Sequence, residues 1–528
     1  MKITFLGHAG FCIETEHAVI ICDPWHSPEG AFDSSWFQLP SNHHLGALVE
    51  EKLAQPKAAK FIYISHEHED HYDRKFLDSL SIRDFSIVIA KFRRSTLRRE
   101  LADYRCKEII ALSEAGAVQF PGGELKLFLD DSELNRDSAI LIRAEDRSFL
   151  NLNDCRIFDR LRHIQANDGA IDAFACQFSG ASWHPTCYDY DDETFDRLSE
   201  TKALAKFKMI EQAIAVLKPK VFLPSAGPVC FLDPTLLPIN EKQRGIFRRA
   251  PEAIAYLEDT LKEFGTKAPE IAPGDVFDLS TGELTLARGP RYVDTQFTQY
   301  IADYAKRYES YFAERARVHA TVDVEQTFAR LREELEHKLA LLVLRDRVEI
   351  PLFFGLEELP QRWLRVDFRN AVITEVSEMG SGPHYRITAY AWQIAKVLDG
   401  ALSWESFGLS FRVRLFRDPD RYNPLIHAFL TLHRGDLYRF CKMITDLENR
   451  TERLQVEAGG KTYSISRYCP HNGGDLTEAL VENERYLVCP RHRWCFDLQN
   501  GGACTSNDSS IFAEELVAGE AASNRPAI

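Results

Sequence analysis

Two short motifs near the C-terminus each combine one cysteine with one histidine. Cys469 precedes His471 by two positions, and Cys489 precedes His492 by three. A 2Fe-2S centre with two thiolates on one iron and two imidazoles on the other needs one Cys and one His from each of two loops. The spacing therefore predicts such a cluster, and a structural zinc site with the same ligands is the alternative.

The residues beside these ligands favour the iron-sulfur interpretation. Pro470 and Pro490 stiffen the two loops, and Gly473 and Gly474 let backbone N–H groups approach the cluster sulfurs. The whole stretch resembles a Rieske domain. Because imidazole ligation raises the reduction potential, the centre would accept one electron and pass it on rather than act on a substrate.

A relay needs an electron donor, and four arginines near the ligand loops indicate where one could dock. A basic collar in an otherwise acidic chain suits an acidic electron carrier. Ordinary surface arginines are the alternative. The four residues of the collar are Arg467, Arg485, Arg491 and Arg493.

A second group of metal-type ligands follows the predicted strand Phe61 to Ile64. His66, His68, Asp70 and His71 fall within six residues. Convergence on metal is the simplest explanation, because these polar groups would otherwise need separate partners. His66 and His68 would face one metal position. Asp70 and His71 would face a second, and a solvated polar loop is the alternative to both.

A strand that ends in His-x-His-x-Asp-His resembles the metallo-β-lactamase fold, an αββα sandwich with metals at the loops beyond the strand ends. In this resemblance Asp154, at the end of another predicted strand, matches the bridging carboxylate. Two histidines usual in such hydrolases are replaced here by Asp137-Ser138 and by Pro224-Ser225-Ala226-Gly227-Pro228. One or two non-haem iron ions that activate O2 suit this site better than a dizinc hydrolase site, and zinc is the alternative.

Three further residues are candidates to complete the ligand set. A packing or turn role is the commoner function of single residues of this kind. The three candidates are His8, Asp137 and His184.

Further motifs extend a resemblance to the CMP-N-acetylneuraminate hydroxylase family over about residues 1 to 430 and the Rieske part. In the animal enzyme the Rieske domain is N-terminal, whereas here it is C-terminal. The motifs include Asp23-Pro24-Trp25, Tyr63-Ile64-Ser65-His66, Leu152-Asn153-Asp154-Cys155, Ser179-Gly180-Ala181-Ser182, Leu402-Ser403-Trp404-Glu405 and Arg417-Asp418-Pro419-Asp420-Arg421-Tyr422.

The resemblance implies an O2-dependent monooxygenase that acts on a small polar substrate, of which a nucleotide sugar is one candidate. Electrons would pass from a reductase through an external carrier, such as a ferredoxin or a cytochrome b5-like protein, to the Rieske centre and then to non-haem iron. Tunnelling requires the two centres to lie close together, within one chain or across the interface of a homo-oligomer. No Gly-rich phosphate loop or dinucleotide fingerprint is present, which also indicates an external donor.

Two other functions remain open from the residues alone. A metal-dependent hydrolase would use a metal-bound hydroxide, with the Rieske part as a regulator. A redox-sensing or electron-transfer protein would keep only a vestigial N-terminal site. Iron with O2 dependence would favour the oxygenase over both.

Composition argues against several classes of protein. The chain has 528 residues and a formal net charge of -15, so a field of this sign would repel nucleic acid and anionic membranes. No apolar run approaches the roughly 20 residues of a membrane helix, and the start has no secretory pattern, so we expect a cytoplasmic protein. Its 12 cysteines are spread out, which predicts free thiols apart from the two cluster ligands.

Periodicity and chain length divide the sequence into three predicted domains. Residues 1–297 alternate short strands with helices such as Thr201 to Leu217, which predicts an α/β, αββα metallo-β-lactamase-like catalytic domain. Residues 298–445 predict an α+β accessory domain, with helices at Tyr300 to Arg317 and Val324 to Leu344 and a strand within Trp363 to Val376. Residues 446–528 predict a small all-β Rieske domain with a disordered tail from Ala518.

Overall fold

Two β-sheets face each other in the N-terminal part of the chain. The computed structural model describes residues 1–94, 96–134, 136–241, 245–291 and 294–516, so the predicted disordered tail lies outside the described residues. One sheet has the order β16-β15-β1-β2-β3-β5-β6-β7 and the other β13-β12-β11-β10-β9-β8. The strands are β1 (Lys2–Gly7), β2 (Gly10–Glu14), β3 (Ala18–Cys22), β4 (Phe37–Gln38), β5 (Ala59–Ile64), β6 (Ser86–Ala90), β7 (Glu108–Leu112), β8 (Ala117–Phe120), β9 (Gly123–Asp131), β10 (Arg136–Ala144), β11 (Arg147–Asn151), β12 (Ala173–Gln177), β13 (Val221–Ser225), β14 (Val229–Cys230), β15 (Val276–Asp278) and β16 (Glu283–Thr285).

Helices cover the outer face of each sheet. Val49 and Phe76 pack on the first sheet, and Ile164 and Ile210 pack on the second. The helix predicted from Thr201 begins earlier, because the Asp191 side chain caps it by accepting from the Thr194 N–H. The helices are α1 (Gly46–Ala54), α2 (Arg74–Ser79), α3 (Thr96–Glu100), α4 (Leu161–Asp168), α5 (Trp183–Thr186), α6 (Asp192–Leu217), α7 (Leu237–Glu241), α8 (Ala250–Tyr256) and α9 (Glu258–Phe264).

The space between the two sheets is an apolar core. Phe11 and Ile13 from the first sheet and Ile140 and Phe149 from the second belong to one buried cluster. Each strand thus contributes alternate side chains to this core and to the helix layer outside, which is the αββα sandwich that the sequence predicts. Strands β3, β5, β6 and β7 run parallel, so their carboxyl ends lie at one edge of the sandwich.

The middle of the chain forms a mixed five-stranded sheet with the order β19-β18-β17-β20-β21, surrounded by helices. The stretch from Trp363 to Val376 is a hairpin of two strands rather than one, with Ala371 at φ 53° in its turn. The elements are α10 (Phe297–Lys306), α11 (Glu309–His319), α12 (Val324–Leu341), β17 (Leu352–Leu356), β18 (Trp363–Asp367), β19 (Val372–Val376), β20 (His384–Ala389), α13 (Ala391–Leu398), α14 (Trp404–Leu409), β21 (Val413–Asp418), α15 (Pro424–Thr431) and α16 (Arg434–Glu448).

The C-terminal part has two small sheets, β22-β23-β28 and β24-β25-β26-β27. Their core contains Tyr463, Leu487 and Phe496 together with the two cysteines of the predicted cluster. None of the described helices combines the length and apolar composition needed to cross a membrane. The strands are β22 (Arg453–Ala458), β23 (Lys461–Ser466), β24 (Leu480–Glu482), β25 (Tyr486–Val488), β26 (Cys495–Asp497), β27 (Ala503–Cys504) and β28 (Glu514–Glu515).

Apolar packing crosses the predicted boundary between the first two parts. Trp25 and Phe32 share a buried cluster with Leu331 and Phe407 of the middle part. The exact domain boundaries stay a prediction, and helix α16 runs through the predicted division at residue 446. The core of the middle part is therefore continuous with apolar side chains of the N-terminal part.

Arg412, just before β21, makes a buried polar contact across this boundary. Its guanidinium donates to the Asp233 carboxylate at 3.0 and 2.7 Å and to the backbone carbonyls of Asp33 and Ser34 at 3.1 Å. The Arg412 side chain is 2% exposed.

We predict that Arg412→Ala lowers the free energy of unfolding by about 3–5 kcal/mol, because Asp233 and two carbonyls lose a buried cationic partner. Arg414→Ala, two residues farther along in β21, is the matched control, since that side chain is 68% exposed. We expect the control to change stability by about 0–1 kcal/mol. Chemical denaturation measures both, and equal losses would contradict the anchoring role of Arg412.

Candidate metal centres and the cleft between them

Backbone hydrogen bonds shape the two cysteine-histidine loops. The Cys469 N–H donates to the Gly474 carbonyl at 2.8 Å, and the Cys489 N–H donates to the Trp494 carbonyl at 2.8 Å. Gly473 adopts φ 68°, and a Cβ there would lie 3.0 Å from Leu447, so glycine is needed at this turn. Each motif is thus held as a tight loop with its ligands on one side.

The predicted cluster ligands lie in two pairs, one of histidines and one of cysteines, with a hydrogen bond between the Cys469 and Cys489 thiols. The rings of His471 and His492 lie 4.5 Å apart between centroids, and Trp494 stacks on His471 at 4.4 Å. Cys469 and Cys489 are buried free thiols, and the Nδ1 atom of His471 has no hydrogen-bond partner among the described residues. Burial raises the pKa of Cys469, so its thiolate needs a metal for stabilisation. These donors fit a 2Fe-2S cluster.

The N-terminal ligand loop follows β5 directly. The Asp23 carboxylate accepts from the Ser65 hydroxyl at 2.7 Å and lies 2.8 Å from His71 Nδ1. A carboxylate on one ring nitrogen fixes the orientation of the imidazole and leaves the other nitrogen for a metal. His71 Nε2 is indeed buried without a hydrogen-bond partner among the described residues.

The atoms that His71 Nε2 faces are carboxylate oxygens. It lies 3.7 Å from Asp70 Oδ2 and 3.8 Å from Asp154 Oδ1. Asp154 Oδ1 and Asp70 Oδ1 are also buried and unpartnered within the described part of the chain. Buried polar atoms rarely stay unpaired, so this arrangement fits one or two cations.

Two residues that the sequence offered only as candidates lie in this cluster. His8 Nε2 is 3.0 Å from Asp70 Oδ2, and Asp137 Oδ1 is 3.3 Å from His66 Nδ1. Two groups of three residues each bring their ligand atoms within 4.8 Å of one another. The first group is His8, Asp70 and His71, and the second is His66, His71 and Asp154.

His184 lies outside the cluster. Its Nε2 atom is 3.1 Å from the Tyr190 hydroxyl and 3.1 Å from the Arg417 guanidinium. His184 therefore packs between polar side chains. This is the packing role that we expected to be commoner than metal binding for a single residue of this kind.

His68 contacts a residue that the sequence did not single out as a ligand. Its Nδ1 atom is 2.8 Å from His66 Nε2, and its Nε2 atom is 3.3 Å from Glu405 Oε1. Glu405 belongs to the middle part of the chain, so only the fold brings it here. In the sequence, Glu405 stood out only as part of the motif Leu402-Ser403-Trp404-Glu405, which belongs to the family resemblance.

The electrostatics of the cluster also favour a cation. Burial and the carboxylate of Asp154 raise the pKa of Asp137 well above its usual range. A metal ion would remove this repulsion between carboxylates. Burial and the neighbouring His71 lower the pKa of His66 to about 3, which keeps His66 as the neutral imidazole that metals bind.

The two candidate centres face a common cleft. A cavity of about 120 Å³ is lined by His66, Asp137 and Asp154, and an adjoining cavity of about 220 Å³ is lined by Asp154 and His492. Gln177 lines both cavities. A predicted cluster ligand and a predicted metal ligand therefore line the same cavity within one chain.

Arg491 holds the second cluster loop against the sandwich. Its Nε atom donates to Asp159 Oδ2 at 2.9 Å, and its Nη1 atom donates to Asp130 Oδ1 at 3.2 Å. The Asp475 N–H of the first cluster loop also donates to Asp159 Oδ2, at 3.3 Å. Both cluster loops are thus tied to one buried carboxylate.

This orientation corrects the predicted docking collar. The Arg491 and Arg493 side chains are only 12% and 11% exposed, and each contacts a carboxylate of this chain. Arg467 and Arg485 pair with Asp475 and Asp497. The collar prediction is wrong for Arg491 and Arg493, because these charges are already neutralised inside the molecule.

The middle part also touches the cluster region. The Tyr422 N–H donates to the Ser506 carbonyl at 3.1 Å, and an Arg421 N–H donates to the Asn507 carbonyl at 2.8 Å. The Tyr422 ring lies 6.1 Å from that of Trp494. Residues 298–445 therefore bridge the two metal-binding parts and supply Glu405 to one of them.

Comparison with known proteins agrees with this arrangement. Residues 445–510 match the Rieske 2Fe-2S domain family, and residues 2–128 match the beta-lactamase superfamily domain. The chain joins a metallo-β-lactamase-like domain to a C-terminal Rieske domain. These matches confirm the predicted fold class.

Individual relatives cover different shares of the chain. A provisionally named Rieske 2Fe-2S iron-sulfur protein of Mycobacterium tuberculosis is 28% identical over 97% of this chain and 99% of its own length. The cytidine monophosphate-N-acetylneuraminic acid hydroxylase of Asterias rubens is 26% identical over 43% of this chain and 34% of its own, which confirms the predicted resemblance. The crystal structure of CmlA, a diiron beta-hydroxylase from Streptomyces venezuelae, covers 52% of this chain and 53% of its own at 13% identity with a TM-score of 0.31.

We predict that His66→Ala weakens metal retention at the N-terminal site at least about tenfold, because a neutral imidazole ligand is lost, while the Rieske absorption is unchanged. His163→Ala on α4 is the control, since His163 is exposed and contacts Asn167. Metal analysis after dialysis, with the visible spectrum of the same samples, measures both effects. Full metal content in the His66 variant would contradict the site.

Proposed function

We propose that the chain is an O2-dependent monooxygenase in which the Rieske cluster supplies electrons to non-haem iron at the His66 to His71 site. The substrate is a small polar molecule. The observation that carries the proposal is the cavity lined by both His492 and Asp154. It brings a predicted cluster ligand and a predicted iron ligand to one cleft, as short-range electron transfer requires.

Neighbouring residues of the chain fix the orientation of the predicted iron ligands. Asp23 orients His71, and His8 contacts Asp70 from the opposite side. These imidazoles and carboxylates would hold iron, which would supply O2 activation when bound. The buried walls around His66 limit access of water, and His492 faces the substrate cleft from the Rieske side.

Electrons must come from outside the chain. We propose a small electron carrier, such as a ferredoxin or a cytochrome b5-like protein with its reductase, as the donor. The Rieske cluster is a one-electron relay, so two electrons for each turnover arrive in separate steps.

A metal-dependent hydrolase is the second candidate, and one observation favours it. Residues 2–128 match a domain family named for beta-lactamases, which are hydrolases. In this function a metal-bound hydroxide would attack the substrate without electrons or O2. The Rieske domain would then have no catalytic task, which is why we prefer the oxygenase.

Isotope labelling separates the two functions. We expect iron-loaded, chemically reduced protein under ¹⁸O2 to transfer one ¹⁸O atom into product, with a panel of sugar nucleotides and simpler anionic sugars as first substrates. His66→Ala and Cys489→Ser should each abolish product, since one removes an iron ligand and the other a cluster ligand. His163→Ala should keep full activity. Product formed anaerobically with ¹⁸O from water would establish the hydrolase instead.

A further inference from the structure

The larger cavity between the two candidate centres has an excess of positive charge. Its volume is about 220 Å³, and Arg156, Lys202 and Lys206 line it. Arg493 also lines it but is paired with Glu482. Among the described lining residues, Asp154 of the candidate metal site is the one acidic side chain.

The two lysines of this cavity make their hydrogen bonds to neutral groups. Lys202 Nζ donates to the His184 carbonyl at 2.8 Å, and Lys206 Nζ donates to the Ser179 carbonyl at 2.7 Å and to the side chain of Gln177. Within the described part of the chain, Arg156 makes no hydrogen bond and no ion pair within 4 Å, and the carboxylates of Asp154, Asp130 and Asp137 act on its charge only from farther away. Most of its N–H donors are therefore available to a ligand.

Secondary structure holds these side chains together. Lys202 and Lys206 are four residues apart on α6, so they project from one face of that helix. Buried Phe207 and Ile210 fix the helix against the second sheet. Arg156 follows Asp154 in the loop after β11 and reaches the same cavity from the other side.

Such a grouping is unfavourable without an anion. Desolvation and the charge of Arg156 lower the pKa of Lys206 to about 7. The three cationic side chains around this partly enclosed space outnumber the one carboxylate that lines it, and a bound anion would balance the excess charge through charge-assisted hydrogen bonds. A guanidinium can also bind a carboxylate or a phosphate through two N–H groups.

We propose that this cavity binds an anionic group of the substrate, a carboxylate or a phosphate, through Arg156, Lys202 and Lys206. That the bound anion belongs to a substrate rests on the proposed function, whereas the anion site itself does not. Asp154 and Gln177 line both this cavity and the smaller one at His66. An anion held here would therefore direct the rest of the molecule toward the His66 to His71 site.

The two adjoining cavities have the right size for such a molecule. Together they reach the lower end of the roughly 300–1,000 Å³ that ligand sites usually occupy. The anionic group would occupy the larger cavity, beside His492, and the part to be oxygenated would extend into the smaller one. The substrate would then lie between the two centres.

Binding of simple anions to the full-length holoprotein tests this proposal without O2 or reductant. Inorganic phosphate and, separately, acetate are titrated by calorimetry at low ionic strength. We expect saturable binding of one anion per chain, weakened about tenfold in Lys206→Met and in Arg156→Met, because each change removes one charge-assisted contact. The unchanged Rieske spectrum will show that each variant is folded.

Lys262→Met is the matched control. It removes the same charge from an exposed lysine of α9 that pairs with Glu258. We expect its affinity for both anions to equal that of the unmutated protein. Anions held only by the metal ions would be insensitive to Lys206→Met, and that result would overturn the proposal.

The remaining outcomes also decide the question. Tighter binding of phosphate than of acetate identifies a phosphate group, and equal or tighter binding of acetate identifies a carboxylate. Absence of binding below about 10 mM would overturn the proposal. The protein could bind anions in a Lys206-dependent way and yet form no product that contains oxygen from O2. That result would support the anion site and contradict the oxygenase function.

Discussion

One buried ion-pair network, in which Arg491 of the Rieske loop contacts Asp130 and Asp159 of the sandwich, sets the relation between the two candidate centres. Both carboxylates are buried with the arginine in place, at 2% and 8% exposure. Breaking such a pair costs more than the pair contributes, because an uncompensated charge remains in the interior. The network therefore selects one way of docking the Rieske domain, and that way directs His492 into the cleft beside Asp154.

Chain order has little influence on this assembled site. The Rieske domain follows the middle part in sequence but contacts the sandwich directly, and the middle part touches both. Glu405 reaches His68, and Tyr422 packs beside the cluster loops. An enzyme with its Rieske domain at the other end of the chain could form the same contacts, since they depend on surfaces rather than on connections.

Local patterns in the sequence were sufficient for the ligand loops. His66, Asp70 and His71 follow one strand within a few residues, so the loop itself brings them together. Cys469, His471, Cys489 and His492 were recognisable for the same reason.

Contacts between distant segments were not predictable. Glu405 lies far along the chain from His68, and no local pattern shows that a helix of the middle part will cover the metal site. The inward direction of Arg491 and Arg493 was missed because a sequence shows a charge but not the surface that it faces. His8 and Asp137 were weighed as single residues. Only the packing of the two sheets brings the end of β1 and the start of β10 to the loop after β5, where His8 meets Asp70 and Asp137 meets His66.

Magnetic relaxation of the Rieske centre tests most directly whether the two centres lie together in one chain. The reduced cluster is paramagnetic, so nearby paramagnetic iron at the His66 to His71 site should speed its electron-spin relaxation. We expect the reduced Rieske signal to saturate at clearly higher microwave power with iron in that site than with zinc, in dilute protein. Identical saturation with iron and with zinc would contradict it.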